Sequence, residues 1–464
     1  MDLAVATATP PPAASIAAAC ARAAALGRPV LFSIARPLAD PPDPLTLIAA
    51  ARRAGASAAL LERRGDGVAI AGLGAAWSRD AGGAQRVDAI RDAAAALFAD
   101  AVVDGDAAPL AIAAFAFAPA TPSGDWRGFP AARAIVPRVV LLHRDGATTR
   151  IVNLLVEPGE DVDAVARRLQ RALARLAAWR AAAPDDGGHP CYRARPDPEP
   201  AAWKRAVATT IDDIAAGHIS KLVLARTCRL EADDPFACAA AAARLRQAYP
   251  TCTTFWLGGA AGDFLGATPE VLVRVRGRTL TTAALAGTVA RGTTATADEA
   301  LARTLFASGK DRHEHAIVVA GLRATLQPLC DELVFDAAPQ VVRLANVHHL
   351  RTAVRGRLAA RAHVLDLVAR LHPTAAIAGH PRAAALAALP AREGLERGWY
   401  AGPLGWFDAA GDGEFDVALR CALVRERRAL LFAGAGIVAG SEPDAELDET
   451  RLKLQPLLAA LMEV

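Results

Sequence analysis

The stretch W-K-R-A-V-A-T-T-I-D-D-I-A-A-G-H-I-S-K-L-V-L-A-R, Trp203 to Arg226, decides the class of fold. Trp203 to Ala216 repeats apolar side chains at helical spacing and stops at Gly217, a residue suited to the left-handed turn that ends helices. Lys221 to Leu224 follows as an apolar run of strand type. A helix that leads straight into a buried strand predicts a chain of mixed α and β structure.

Toward the N-terminus lies A-P-D-D-G-G-H-P-C-Y-R-A-R-P-D-P-E-P, Ala183 to Pro200, whose proline, glycine and aspartate favour turns over regular elements. This is the best linker in the chain. It divides residues 1–195, a scaffold half, from residues 196–464, where the chemistry is expected. The first half alternates strand-like runs (Val30 to Ile34, Ala111 to Phe117, Ile135 to Leu142, Ile151 to Val156) with helical stretches such as Val162 to Ala183.

The whole chain of 464 residues is 53% hydrophobic and 22% charged, with 52 basic against 49 acidic residues. Such a balance suits a folded protein and offers no excess positive field to attract nucleic acid. Seven cysteines without a C-x-x-C pair argue against a disulfide framework and a zinc ribbon, so a reducing, cytoplasmic setting is expected. Met1 to Gly27 is apolar, but no Lys or Arg precedes the apolar stretch and Arg22 interrupts it, so no signal peptide is expected. Nor does any window read as a membrane span. A monomer is the default expectation.

Toward the C-terminus, two acidic pairs share one geometry. Asp311 and Glu314 in K-D-R-H-E-H, and Glu446 and Glu449 in E-L-D-E-T-R-L-K, are each three residues apart and lie on one side of a helix. Converging, they would make an oxygen-rich site for Mg²⁺. Taken singly, such a pair is more often a solvated helix face, and Glu449 with Lys453 reads as an ordinary i,i+4 ion pair.

The run Leu431 to Pro443, L-F-A-G-A-G-I-V-A-G-S-E-P, opens into glycines but leaves only 24 residues after Gly440, too few for a dinucleotide fold. It reads as a loop whose backbone amides approach a small anion. In V-A-L-R-C-A-L-V, period-2 patterning sets Arg420 opposite Leu419 and Cys421, either in solvent or as a carboxylate clamp. Lys221, at the mouth of a buried strand, is a candidate base because desolvation disfavours a charged amine. Glu270, after a strand and a proline turn, is either a surface acid or a carboxylic acid at a site edge.

Taken together, the ordered motifs resemble the chorismate-utilising enzymes: isochorismate, salicylate, anthranilate and aminodeoxychorismate synthases. They are K-L-V-L-A-R, G-A-T-P-E, A-L-A-G-T, S-G-K-D-R-H-E-H, N-V-H-H-L-R-T, L-H-P-T-A-A-I-A-G-H-P, G-W-Y-A-G-P-L-G-W, G-E-F-D-V-A-L-R and A-G-A-G-I-V-A-G-S-E-P-D-A-E-L-D-E-T, spread from Trp203 to the C-terminus. The resemblance implies an α/β (α+β) fold of two stacked β-sheets flanked by helices, both halves of the chain feeding one unit. It further implies that Lys221 activates water for attack at C2 of chorismate while Glu270 protonates the departing C4 hydroxyl. Glu314 and Glu449 would hold Mg²⁺, with Asp311 and Glu446 contributing directly or through water. Gly287, Thr288, His349, Tyr400, Arg420, Gly434, Ala435, Gly436 and Lys453 would contact the substrate.

Within that family, Ala286 stands where aminodeoxychorismate synthases carry a nucleophilic lysine, and Lys221 where ammonia-using members carry glutamine. Both point to water as nucleophile, hence to an isomerase, an isochorismate synthase. The stretch around His372 favours that activity over salicylate synthase, which forms isochorismate and then eliminates pyruvate. Thr268, His348 and His380 depart from the commoner family residues. A catalytically silent chorismate-binding module is the alternative from another class. Siderophore, salicylate and menaquinone biosynthesis all remain open as destinations of the product.

Overall fold

A computed structural model describes residues 12–181 and 192–462. Part of the expected linker and the beginning of the Met1 to Gly27 stretch lie outside the described residues. The expected elements form with small shifts of boundary. The helix Val162–Arg180 starts where the Asp161 side chain accepts a hydrogen bond from the Ala164 amide, and it buries Val165, Leu169, Ala172 and Leu176, one stripe at helical spacing. The helix around Trp203 begins earlier than its apolar periodicity suggests, at Pro200, because proline at the first helical position gives up no needed donor. It runs to Ala215, and Gly217 beyond it takes a positive φ of 78°.

The strands make two sheets. The larger runs in the order Tyr192–Asp197, Lys221–Ala232, Arg428–Ile437, Cys421–Arg425, Gly262–Thr268, Thr253–Gly259, Ala58–Arg63, Val68–Leu73, Val139–Arg144, Ala147–Val156, Val30–Pro37 and Val102–Asp104. The smaller runs Cys330–Phe335, Val347–Leu358, Thr279–Ala290, Val271–Arg276, Gly413–Val417, Pro403–Asp408, Leu110–Phe115, Ala132–Val136 and Trp77–Ala81. Both halves of the chain enter each sheet: Thr253–Gly259 pairs with Ala58–Arg63 in one, and Pro403–Asp408 with Leu110–Phe115 in the other. This is the two-sheet α/β architecture that the resemblance implied.

One apolar core joins Ile70, Leu224, Phe255 and Phe264 of the larger sheet to Ile112, Phe115, Val273 and Phe415 of the smaller. A second core lies under the helices on the other face of the larger sheet, where Ile16, Ile48, Leu169, Leu245 and Leu457 meet Phe32, Leu60 and Leu431. The larger sheet is therefore buried on both faces, and its strands read as near-continuous apolar runs. Among the described residues no helix is long and apolar enough to cross a membrane.

Three readings of local structure change. Ile135 to Leu142 is not one strand: Pro137, which lacks an amide donor, divides Ala132–Val136 of the smaller sheet from Val139–Arg144 of the larger. The described end of the linker, Tyr192–Asp197, is a strand at the edge of the larger sheet, where Pro196 deprives no neighbour of a hydrogen bond. Gly434 to Gly436 lie in the strand Arg428–Ile437, paired through Ala225 to Val223, and form no loop.

Candidate active site

Lys221 is the first residue of the strand Lys221–Ala232 and is completely buried. Its Nζ lies 2.9 Å from Glu314 Oε1, and the two side chains are buried together. Glu314 comes from the helix Gly309–Leu326, which begins with the Ser308 side chain accepting from the Asp311 amide and packs on the strand Thr279–Ala290. Burial alone would raise the Glu314 carboxyl, but Lys221, Lys453 and Lys310 together hold it below its ordinary value.

Gly436, on the adjacent strand, makes this meeting possible. A Cβ there would lie 2.1 Å from Glu314 Oε1 and 3.0 Å from Lys221 Cε. At Gly434 a Cβ would stand 2.9 Å from the Tyr400 hydroxyl. These glycines belong to a strand because two neighbouring elements press against its surface, and only hydrogen fits beneath them. Gly287 has a φ of 76°, closed to most side chains, and lies against Asp311.

A cavity of about 60 Å³ opens beside these groups, and most of the expected site residues line it: Glu270, Gly287, Thr288, Glu314, His349, Tyr400, Arg420, Gly434, Gly436, Glu449 and Lys453. Four do not. Lys221 lies behind Glu314 and Gly436, Ala435 is sealed in the core opposite Leu224, and Asp311 and Glu446 sit outside the wall. The sequence missed the apolar part of the lining, notably Pro269, Ala376, Ile377 and Phe432, since nothing distinguishes such residues from ordinary core.

Glu270 is not a surface acid. It is 8% exposed, and burial pushes its carboxyl up to about 7 against the pull of Lys221, Arg420 and Lys453. Thr268 steadies it, donating its hydroxyl proton to the Val417 carbonyl and accepting from the Glu270 amide at 3.3 Å.

Arg420 is buried too, so the solvent-facing alternative falls. It occupies no strand position: the run breaks after Val417, Arg420 takes a positive φ of 47°, and the next strand begins at Cys421. Its Nη2 stands 3.2 Å from His349 Nε2. Because a guanidinium only donates, Nε2 accepts, and the ring proton is on Nδ1, which donates to the Gly287 carbonyl at 2.9 Å with Thr288 Oγ1 at 3.2 Å. Burial, then Arg420 and Lys453, lower the His349 pKa to about 3, so the ring is neutral. Tyr400 stacks on Phe432 at 5.0 Å, and burial raises its hydroxyl pKa.

The four metal candidates are near one another, and each of three carries a lysine: Glu314 with Lys221, Glu446 with Lys310 at 2.5 Å, and Glu449 with Lys453 at 2.5 Å. Lys453 also donates to the Gly434 carbonyl. Among the described residues, no three His, Cys, Asp or Glu side chains are grouped as closely as a bound ion would hold them. The donor set nevertheless suits a hard cation. Burial and the neighbouring Glu449 push Glu446 up to about 7, Asp311 is raised by burial and by its acidic neighbours against Ser308 and Lys310, and Glu446 Oε2 is buried without a partner. Lys310, for which the sequence suggested no role, is the counter-charge of Glu446.

The departures from the family pattern fall beside the site. His348 Nε2 meets Asp298 Oδ1 at 2.8 Å, and His380 pairs in strand register with Lys221. His372 lies outside this cavity, on a larger cleft.

Comparison with known proteins agrees with this geometry. The family described as chorismate binding enzyme matches residues 17–462. The chain belongs to that family. This chorismate binding enzyme is 38% identical to the salicylate biosynthesis isochorismate synthase of Pseudomonas aeruginosa over 96% of its own length and 93% of that protein. It is 32% identical to the isochorismate synthase MenF of Bacillus subtilis, over 76% of this chain and 74% of that one. Its fold matches the menaquinone-specific isochorismate synthase MenF of Escherichia coli with a TM-score of 0.78 and 28% identity, covering 97% of this chain and all of the other.

Proposed function

We propose that this chorismate binding enzyme is an isochorismate synthase, an isomerase that converts chorismate to isochorismate in a Mg²⁺-dependent reaction. The observation that carries the reading is Glu270: a carboxyl group on the cavity wall with a pKa of about 7 remains substantially protonated near neutral pH, as an acid that must deliver a proton requires. In the proposed reaction Lys221, in its free-amine form, takes a proton from water as the water oxygen bonds to C2. Both ring double bonds shift by one position, the C4–oxygen bond breaks, and Glu270 protonates the departing hydroxyl so that it leaves as water. Atoms balance with one water consumed and one released. The relatives, named isochorismate synthases, support the same activity.

Arg420 is proposed to grip a substrate carboxylate with its planar donor fork, the neutral His349 holding one nitrogen of that fork in place. Thr288, Tyr400 and Lys453 line the cavity, while Gly287, Gly434 and Gly436 keep it open. Glu314 and Glu449, with Asp311 and Glu446 directly or through water, would hold Mg²⁺, which when bound offsets the charge of the ring carboxylate. Residues 196–464 are proposed to supply the chemistry, and residues 1–195 the scaffold of the same unit. The enzyme is proposed to act in the cytoplasm as a monomer, with chorismate as its partner and neither nucleic acid nor membrane. Its product would feed siderophore, salicylate or menaquinone biosynthesis.

The test is incubation of purified protein with chorismate and Mg²⁺, an EDTA control, and chromatography of the products. Isochorismate formed only with metal supports the assignment. Salicylate with pyruvate, or unchanged chorismate, overturns it.

A further inference from the structure

A cleft much larger than the substrate cavity lies elsewhere on the molecule. It measures about 770 Å³ and lies between the helices Arg86–Ala99, Val364–Leu371 and Arg382–Glu393 and the chain that follows the strand Leu110–Phe115. That size lies within the range of roughly 300–1,000 Å³ typical of small-molecule sites. Apolar side chains, among them Val87, Phe117, Val368, Leu386 and Leu389, make up much of the wall.

The wall carries three carboxylates, Asp88, Glu393 and Glu396, and three guanidinium groups, Arg86, Arg382 and Arg397, but not all of them pair with one another. Arg86 is only 7% exposed; its Nη2 donates to the Ala116 carbonyl and its Nε has no partner. Arg382 donates to the backbone carbonyls of Arg370 and His372. Among the described residues neither guanidinium forms an ion pair. The carboxylates on the same wall are engaged elsewhere: Asp88 with Arg91, Glu393 with Arg397, and Glu396 with Ser123. His372, also on the wall, gives Nε2 to the Phe117 carbonyl and leaves Nδ1 unpartnered. Arg382 is exposed, but Arg86 is not, and a cation taken out of water without a counter-charge costs several kcal/mol. An anion in the cleft would remove that cost.

We propose that this cleft is a second ligand site, separate from the substrate cavity, for a small organic carboxylate with an apolar body. The fork of Arg86 takes the carboxylate, and the apolar wall takes the body. Arg397 forms a partition between the two cavities. It lines the cleft, its Nη1 donates to the Ile377 carbonyl and its Nη2 to the Val223 carbonyl, and both of those residues line the substrate cavity.

The probe is benzoate, titrated into the whole protein by calorimetry, with benzamide as the uncharged control and inorganic phosphate as the anion without an apolar body. Benzoate is expected to bind, and the controls to bind far more weakly. Arg86→Met should weaken binding by about 10- to 100-fold, the worth of a charge-assisted hydrogen bond. Leu386→Asp, at a position 37% exposed on the cleft wall, should weaken it without disturbing the core. Arg420→Met, in the substrate cavity, should leave it unchanged. Absence of benzoate binding, equal binding of phosphate or benzamide, or a loss caused by Arg420→Met and not by Leu386→Asp would each overturn the proposal.

Discussion

Replacing Glu270 by glutamine should make the protein more stable at alkaline pH and nearly inactive. Burial lifts this carboxyl from 4.5 to about 7, a shift that costs the ionised form about 3 kcal/mol in the folded state, at about 1.4 kcal/mol for each unit. The sign follows from proton counting. Between the two values the folded protein retains a proton that the unfolded chain has released, so the group's contribution is full at acid pH, falls as pH rises from 4.5, and levels off above about 7. Glutamine keeps the shape and does not titrate. Urea unfolding of both proteins at about pH 5 and about pH 8 isolates the effect, because the other groups largely cancel in the comparison. The variant should gain about 2.5 kcal/mol on wild type between the two conditions, since part of the shift is already spent at pH 5, while turnover falls by roughly 10²- to 10⁴-fold, the usual worth of a positioned acid. For wild type, kcat/KM should decline above about pH 7 as Glu270 ionises. Parallel pH dependence of stability in the two proteins, or a variant with ordinary turnover, would refute the reasoning.

Lys221→Ala should abolish turnover, and circular dichroism should still show a folded protein, less stable by about 3 kcal/mol because Glu314 loses its buried partner; wild-type turnover in that variant would remove Lys221 as base. Gly436→Ala drives a methyl into Glu314 and Lys221, so steady-state assays should show at least a tenfold loss of kcat. Ala435→Gly, off the cavity, should retain most of the activity. Arg420→Lys keeps the charge but loses the planar fork and the contact to His349 Nε2, and should raise KM for chorismate by about 10- to 100-fold with a smaller change in kcat.

The elements were legible because both cores are built from long apolar runs, and Gly217 marks a helix end by local chemistry. What stayed hidden depended on distant neighbours. The alternation around Arg420 looks continuous in sequence, yet the backbone turns left-handed there and buries the guanidinium against His349, 71 positions away. Gly434 and Gly436 look like a loop until Tyr400 and Glu314 are seen to occupy the space above them. Acid spacing revealed Asp311, Glu314, Glu446 and Glu449, but Lys310 meets Glu446 across 136 residues, a pairing no local pattern records. The cleft around Arg86 left no trace in the sequence because its walls come from ordinary apolar residues on separate helices.

The central claim is that water attacks C2 of chorismate while the C4 hydroxyl departs, and isotope transfer tests it most directly. The protein, with Mg²⁺, is given chorismate in ¹⁸O-labelled water, and the first isochorismate formed is examined by mass spectrometry. Isochorismate should carry one heavy oxygen, on C2. Unlabelled isochorismate, or none, would contradict attack by water.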